Sequence, residues 1–203
     1  MQSFFWGILL GWGAAIPIGP VNIEITRRAL TFGPSRGLAM GLGACSADVL
    51  YIALLGLGGI SLLQFETPLR VIGVLGALVL LWFAYNAFRQ PIVTNGDNAP
   101  KAKPLNKHYR DGVLVTLLNP YTIIFWGSIS SQLPALADHG HYGMLLACVG
   151  VMLGTVSWVG FLNTVIAITR HRLGPRFMRG LNSAGGVILV GFAGFGLWHS
   201  ILG

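Results

Sequence analysis

Apolar residues come in six long runs, Phe4 to Leu30, Leu38 to Leu63, Leu69 to Phe88, Gly112 to Pro134, Tyr142 to Thr169 and Leu181 to Leu202, separated by more polar stretches. A helix that crosses about 30 Å of hydrocarbon needs about 20 residues, and each run is of that order. The pattern predicts an all-α integral membrane protein with six transmembrane helices. The first run begins at Met1-Gln2-Ser3 with no Lys or Arg, and its basic residues follow at Arg27, Arg28 and Arg36. That is the wrong polarity for a cleaved signal peptide, so the run is expected to stay as a helix.

The longest polar stretch, Arg89 to Asp111, holds Pro91, Gly96, Pro100, Pro104 and five cations. It reads as a flexible linker that divides one transmembrane transporter domain, 1–203, into a first half, 1–88, and a second half, 112–203. Three crossings per half force the second half to enter the membrane upside down relative to the first, a 3+3 inverted repeat of the kind many secondary transporters use. Matching features fall at matching places. The first helix of each half is broken by proline, at Pro17-Ile18-Gly19-Pro20 and at Asn119-Pro120. The second helix of each half opens with glycines four apart, Gly37 and Gly41, then Gly150 and Gly154, which allow close helix packing in lipid.

Composition sharpens this. With 54% hydrophobic and 9% charged residues, the chain cannot coat itself for water, so a soluble enzyme is excluded. The net charge of +7 has a topological explanation. Every cation but Arg70 lies in the connections between spans one and two, three and four, or five and six, which places those connections in the cytoplasm and both termini on the outer side. Contact with anionic lipid accounts for the basic charge, and no nucleic acid is expected.

Proline in a helix frees backbone groups, which in lipid must face protein or a wet cavity. Asn119 can cap a new helix start and Pro120 suits its first position; Gly19-Pro20 can act in the same way, less strongly. Such a start inside the membrane presents amides and partial positive charge to a substrate carboxylate. Asp48, near the middle of the second run, is an expensive residue in a bilayer and therefore a functional candidate, as partner to a substrate ammonium or as a proton carrier. Glu24 could join Asn22 at a site beyond the first break, or pair with Arg27 and Arg28 at i+3 and i+4 on its own helix. Tyr121 and Asn163 can equally be interhelical hydrogen bonders. His139 and His141 lack the ligand shell of a tight metal site, and no metal or cofactor is expected. Cys45 and Cys148 read as small buried hydrophobes. The chain carries no phosphate-binding loop, GxSxG or HExxH, so no enzymatic activity is expected and any work would be driven by an ion gradient.

The run Ile16-Pro17-Ile18-Gly19-Pro20-Val21-Asn22, then a basic turn, Gly41 to Gly43, Ala47-Asp48 and finally Leu118-Asn119-Pro120 resembles the LysE/RhtB family of bacterial amino-acid exporters over nearly the whole chain. The resemblance implies proton-driven efflux of amino acids or related small metabolites across a bacterial inner membrane, through a 3+3 bundle that allows a homodimer. It carries over onto Pro17, Gly19, Pro20, Asn22, Asp48, Asn119 and Pro120 as substrate-binding positions, with Asp48 also in proton coupling. Val21, Tyr121 and Glu24 depart from the family pattern, and the extra acidity of Glu24, placed with the substrate residues, would favour a cationic solute. A divalent or heavy-metal cation exporter is the first alternative, motivated by Asp48, Glu24 and the His139–His141 turn. A thiol-disulfide redox carrier using Cys45 and Cys148 is another, and a non-transporting membrane scaffold is the last.

Overall fold

The computed structural model describes residues 1–56, 66–89, 104–129, 140–170 and 175–201; among them the regular structure is helical and contains no strand. The helices are α1 (Gln2–Ala15), α2 (Pro20–Phe32), α3 (Pro34–Gly56), α4 (Glu66–Arg89), α5 (Leu105–Leu117), α6 (Pro120–Ile129), α7 (Gly140–Thr169) and α8 (Pro175–Ile201). Pro34–Gly56, Tyr142–Thr169 and Arg179–Trp198 are each long and apolar enough to cross a membrane. The pairs α1 with α2 and α5 with α6 add two more if each bent pair is one span, and α4 holds a shorter apolar stretch, Gly73–Arg89.

The first and fourth predicted spans are thus each a pair of helices, bent by 75° and 58°. Proline explains both angles. Pro17 and Pro20 have no amide to return to Gly13 and Ile16, and Pro120 has none for Thr116, so the hydrogen-bond ladder stops and restarts. α2 ends at Gly33, whose φ of +100° suits a residue without a Cβ, and α3 begins at the next residue.

The polar stretch expected to be a linker up to Asp111 is helical from Leu105. Its last residues are the opening turns of α5, because His108 and Asp111 find partners on α2 instead of water. Residues 90–103 of that stretch, and His139 of the outer turn, lie outside the described residues.

Glycines set the closest packing. A Cβ on Gly7 or Gly11 of α1 would collide with the backbone of α7 near Ala147 and Val151, and one on Gly150 or Gly154 would collide with the backbone of α1. In the same way Gly43 of α3 lies against the Tyr109 carbonyl of α5, and Gly112 of α5 against the Met40 carbonyl of α3. In lipid this close approach is what holds helices together, since apolar side chains gain little by leaving hydrocarbon. The outward faces remain greasy: Phe5, Leu54, Leu78, Phe161, Ile168, Val187 and Trp198 are all exposed. So much uncovered apolar surface, spread over most helices, fits a hydrocarbon surround.

Candidate functional site

Several polar groups are buried inside, among them Glu24, Asp48, Asn119 and Thr155. One cleft, about 450 Å³ with its open mouth included, is lined from both helix breaks and from α3 and α7. Pro17, Gly19, Val21 and Asn22 come from the first break, Thr116, Asn119, Tyr121 and Thr122 from the second, Cys45 and Asp48 from α3, and Thr155 and Trp158 from α7. Of the positions expected from the sequence to bind substrate, Pro17, Gly19, Asn22, Asp48 and Asn119 line it together. Pro20 and Pro120 are buried at the first positions of α2 and α6, where they shape the breaks without lining the cleft.

The two breaks are repaired by different means. In the second, the ladder bond that Tyr121 N–H would have made to the Leu117 carbonyl is replaced by two side-chain bonds. Asn119 Oδ1 accepts from Tyr121 N–H at 3.2 Å, and the Tyr51 hydroxyl donates to the Leu117 carbonyl at 2.6 Å. Asn119 Nδ2 also donates to Thr122 Oγ1 at 3.0 Å. The first break is tied at its carbonyl end only. Asn22 Nδ2 donates to the carbonyls of Ala15 (2.6 Å) and Pro17 (2.9 Å), and Asn22 Oδ1 accepts from Trp158 Nε1 at 3.2 Å. No side chain caps α2, whose first return bond runs from Ile23 N–H to the Gly19 carbonyl at 3.1 Å. The α2 start therefore keeps the free amides and partial positive charge that Asn119 covers on α6.

Asp48 stands in this cleft, 6% exposed, with Oδ1 accepting from Trp126 Nε1 at 3.0 Å. Glu24 does not line it. That residue is fully buried and shared between two guanidiniums: Arg27 donates from Nε and Nη2, and Arg28 donates from Nε at 2.8 Å. Arg28 reaches further, with Nη1 2.8 Å from His108 Nδ1, Nη2 2.9 Å from Asp111 Oδ2, and its guanidinium 5.4 Å from the centre of the Phe83 ring. The helical pairing with Arg27 and Arg28 is present, but inside a buried junction of α2, α5 and α4. The acidity that motivated the cationic-solute expectation is thus already matched by two guanidiniums.

Thr116, Trp126, Thr155, Trp158, His108 and Asp111 carry polar contacts or lining positions that the sequence did not single out. Thr116 had a readable signal: it stands four residues before Pro120, the position whose carbonyl loses its ladder partner. His108 and Asp111 had none, since their partner Arg28 is 80 residues away in sequence from His108. Cys45 is buried and lines the cleft, and Cys148 is half-buried; both are free thiols.

A greasy exterior around a cleft that is walled by two interrupted helices and holds one acid among the described residues fits a multi-pass membrane protein. Residues 13–199 match the family model described as LysE type translocator. The chain belongs to that family, one of translocators and not of enzymes. It is 28% identical to a putative amino acid efflux protein, YcgF, of Bacillus subtilis, over 95% of this chain and 93% of the relative. It is 25% identical to the leucine efflux protein of an Enterobacter species, over 93% of this chain and 92% of the relative. With the lysine exporter LysE of Corynebacterium efficiens the identity is 22%, over 95% of this chain and 97% of the relative. No solved structure matches the chain.

Proposed function

We propose that this protein is a secondary-active exporter of an amino acid or related small metabolite across the bacterial inner membrane, driven by the proton gradient. The observation that carries the reading is the cleft in which both proline breaks and Asp48 meet. The substrate lies there, its carboxylate toward helix-start amides and its ammonium, or in turn a coupling proton, at Asp48. Relatives named for amino acid, leucine and lysine efflux support the substrate class.

The bundle is read as six crossings in two inverted halves, with both termini periplasmic. Supporting this, exchanging the halves turns the close pair α1 with α7 into the close pair α5 with α3, each made through glycine against backbone. In both pairs the partner of the long helix is the segment that precedes a break. Alternating access is then a rocking of one half on the other around the cleft. A metal exporter would need Asp48 and Glu24 at one site, and Glu24 is held by Arg27 and Arg28 instead.

Purified protein in liposomes preloaded with unlabelled amino acids tests the proposal by counterflow of labelled ones. Uptake above empty liposomes is expected, together with acceleration by an imposed pH gradient. Counterflow equal to that of empty liposomes for every amino acid would end the export reading.

A further inference from the structure

Asp48 is the one charged side chain that lines the cleft among the described residues. Glu24, the other acid placed near the first break, has one carboxylate oxygen shared between Arg27 and Arg28 and the other bonded to Arg27. The cleft thus offers a single negative group to a cation. For an anion it offers the uncapped start of α2, lined by Gly19, Val21 and Asn22, whereas the start of α6 is occupied by its own Asn119. The remaining polar lining is largely committed. Asn22 and Asn119 spend their amides on the breaks, and the Thr155 hydroxyl bonds to the carbonyls of Val151 and Met152.

Thr116 differs from these. It is 1% exposed and lines the cleft, and its Oγ1 is buried with no hydrogen-bond partner among the described residues. A buried hydroxyl left unpaired is costly, and a ligand in the cleft would satisfy it. The rest of the wall is mainly apolar or small, Ala14, Ala15, Ile25, Ala44, Cys45 and Val159, with the Trp158 indole and the Tyr121 ring.

Resting on the export reading, we infer that the cleft takes a monoamino, monocarboxylic amino acid with an uncharged side chain, and that Thr116 is one of its binding residues. Its ammonium takes Asp48, its carboxylate takes the α2 amides, and its side chain lies on the apolar wall. The Thr116 hydroxyl bonds one of the two charged ends. A second ammonium, as in lysine, would find no second acid, and a second carboxylate, as in glutamate, would meet Asp48 as a like charge. Both cost too much in a low-dielectric site to be carried well.

The test uses wild-type protein and the Thr116→Val and Thr116→Ser variants in liposomes, with counterflow of labelled leucine, threonine, lysine and glutamate. Binding is read separately by indole fluorescence in detergent, to which Trp158 contributes from the cleft wall. Leucine or threonine is expected to move at least about tenfold faster than lysine or glutamate. Thr116→Val is expected to weaken binding and raise KM for the neutral substrate about tenfold, with Thr116→Ser close to wild type, as loss of one hydrogen bond to a charged group implies. Lysine or glutamate moving as fast as leucine would overturn the substrate class while leaving export standing. Thr116→Val that elutes as a folded species and binds leucine as wild type does would overturn the role of Thr116. If no amino acid moves or binds, the export reading itself falls, and this inference with it.

Discussion

Asp48 and Glu24 are both acids sealed from solvent, 6% and 0% exposed, yet their surroundings differ in charge. Glu24 faces two guanidiniums on its own helix, one of which also binds His108 and Asp111 across to α5. Its charge is matched by protein, so it can hold α2 against α5 and has nothing left for a solute. Asp48 faces an indole N–H and a cleft. A neutral donor can steady a carboxylate but cannot cancel its charge, and on the proposed reading the balance comes from a substrate ammonium or a proton. Burial alone does not make an intramembrane acid functional; an uncompensated charge does.

Breaking this comparison starts with the acid in the cleft. Asp48→Asn keeps the size and the Trp126 hydrogen-bond acceptor but removes the charge, and is expected to reduce amino-acid counterflow to the level of empty liposomes while the protein elutes as a folded species from a detergent column. Full activity in that variant would take Asp48 out of the mechanism. Glu24→Gln should have its main effect on stability instead. It leaves Arg27 buried without its counter-charge and Arg28 with Asp111 alone, a loss of about 3–5 kcal/mol that appears as a lower Tm in detergent. If Glu24→Gln were as stable as wild type but inactive, the roles assigned to the two acids would be reversed.

Smaller effects sharpen the same contrast. Asn119→Ala removes the cap that closes the start of α6 and is expected to cost about 1 kcal/mol, read as a modest fall in Tm. It also leaves a second uncapped helix start in the cleft, so binding should survive. The smallest effect belongs to the thiols: Cys45→Ser with Cys148→Ser should leave counterflow within about twofold of wild type, and loss of activity cured only by the thiols would revive redox chemistry.

Much of the site was legible along the chain. Proline inside an apolar run has a local consequence wherever it sits, so Pro17, Pro20 and Pro120 marked the breaks, and an Asp in such a run stands out at once. Glu24 was legible in its pairing, because i+3 and i+4 neighbours meet on any helix. It was misleading in its place, because nothing local says whether that face looks into a cleft or into a junction. Gly7 and Gly11, which meet Gly150 and Gly154, passed unnoticed among 29 glycines, since their value lies in what they touch.

What the sequence determined by itself was the solvent, the breaks and the two candidate acids, Asp48 and Glu24, all consequences of local covalent chemistry and of transfer from water to hydrocarbon. Tertiary structure decided which acid was already neutralised, which helix start at the cleft was left uncapped and that the Thr116 hydroxyl in the cleft wall was left without a partner among the described residues. Those depend on contacts between α2, α3, α5 and α7, and the pairing of distant segments follows from packing in three dimensions, which no stretch of chain carries alone.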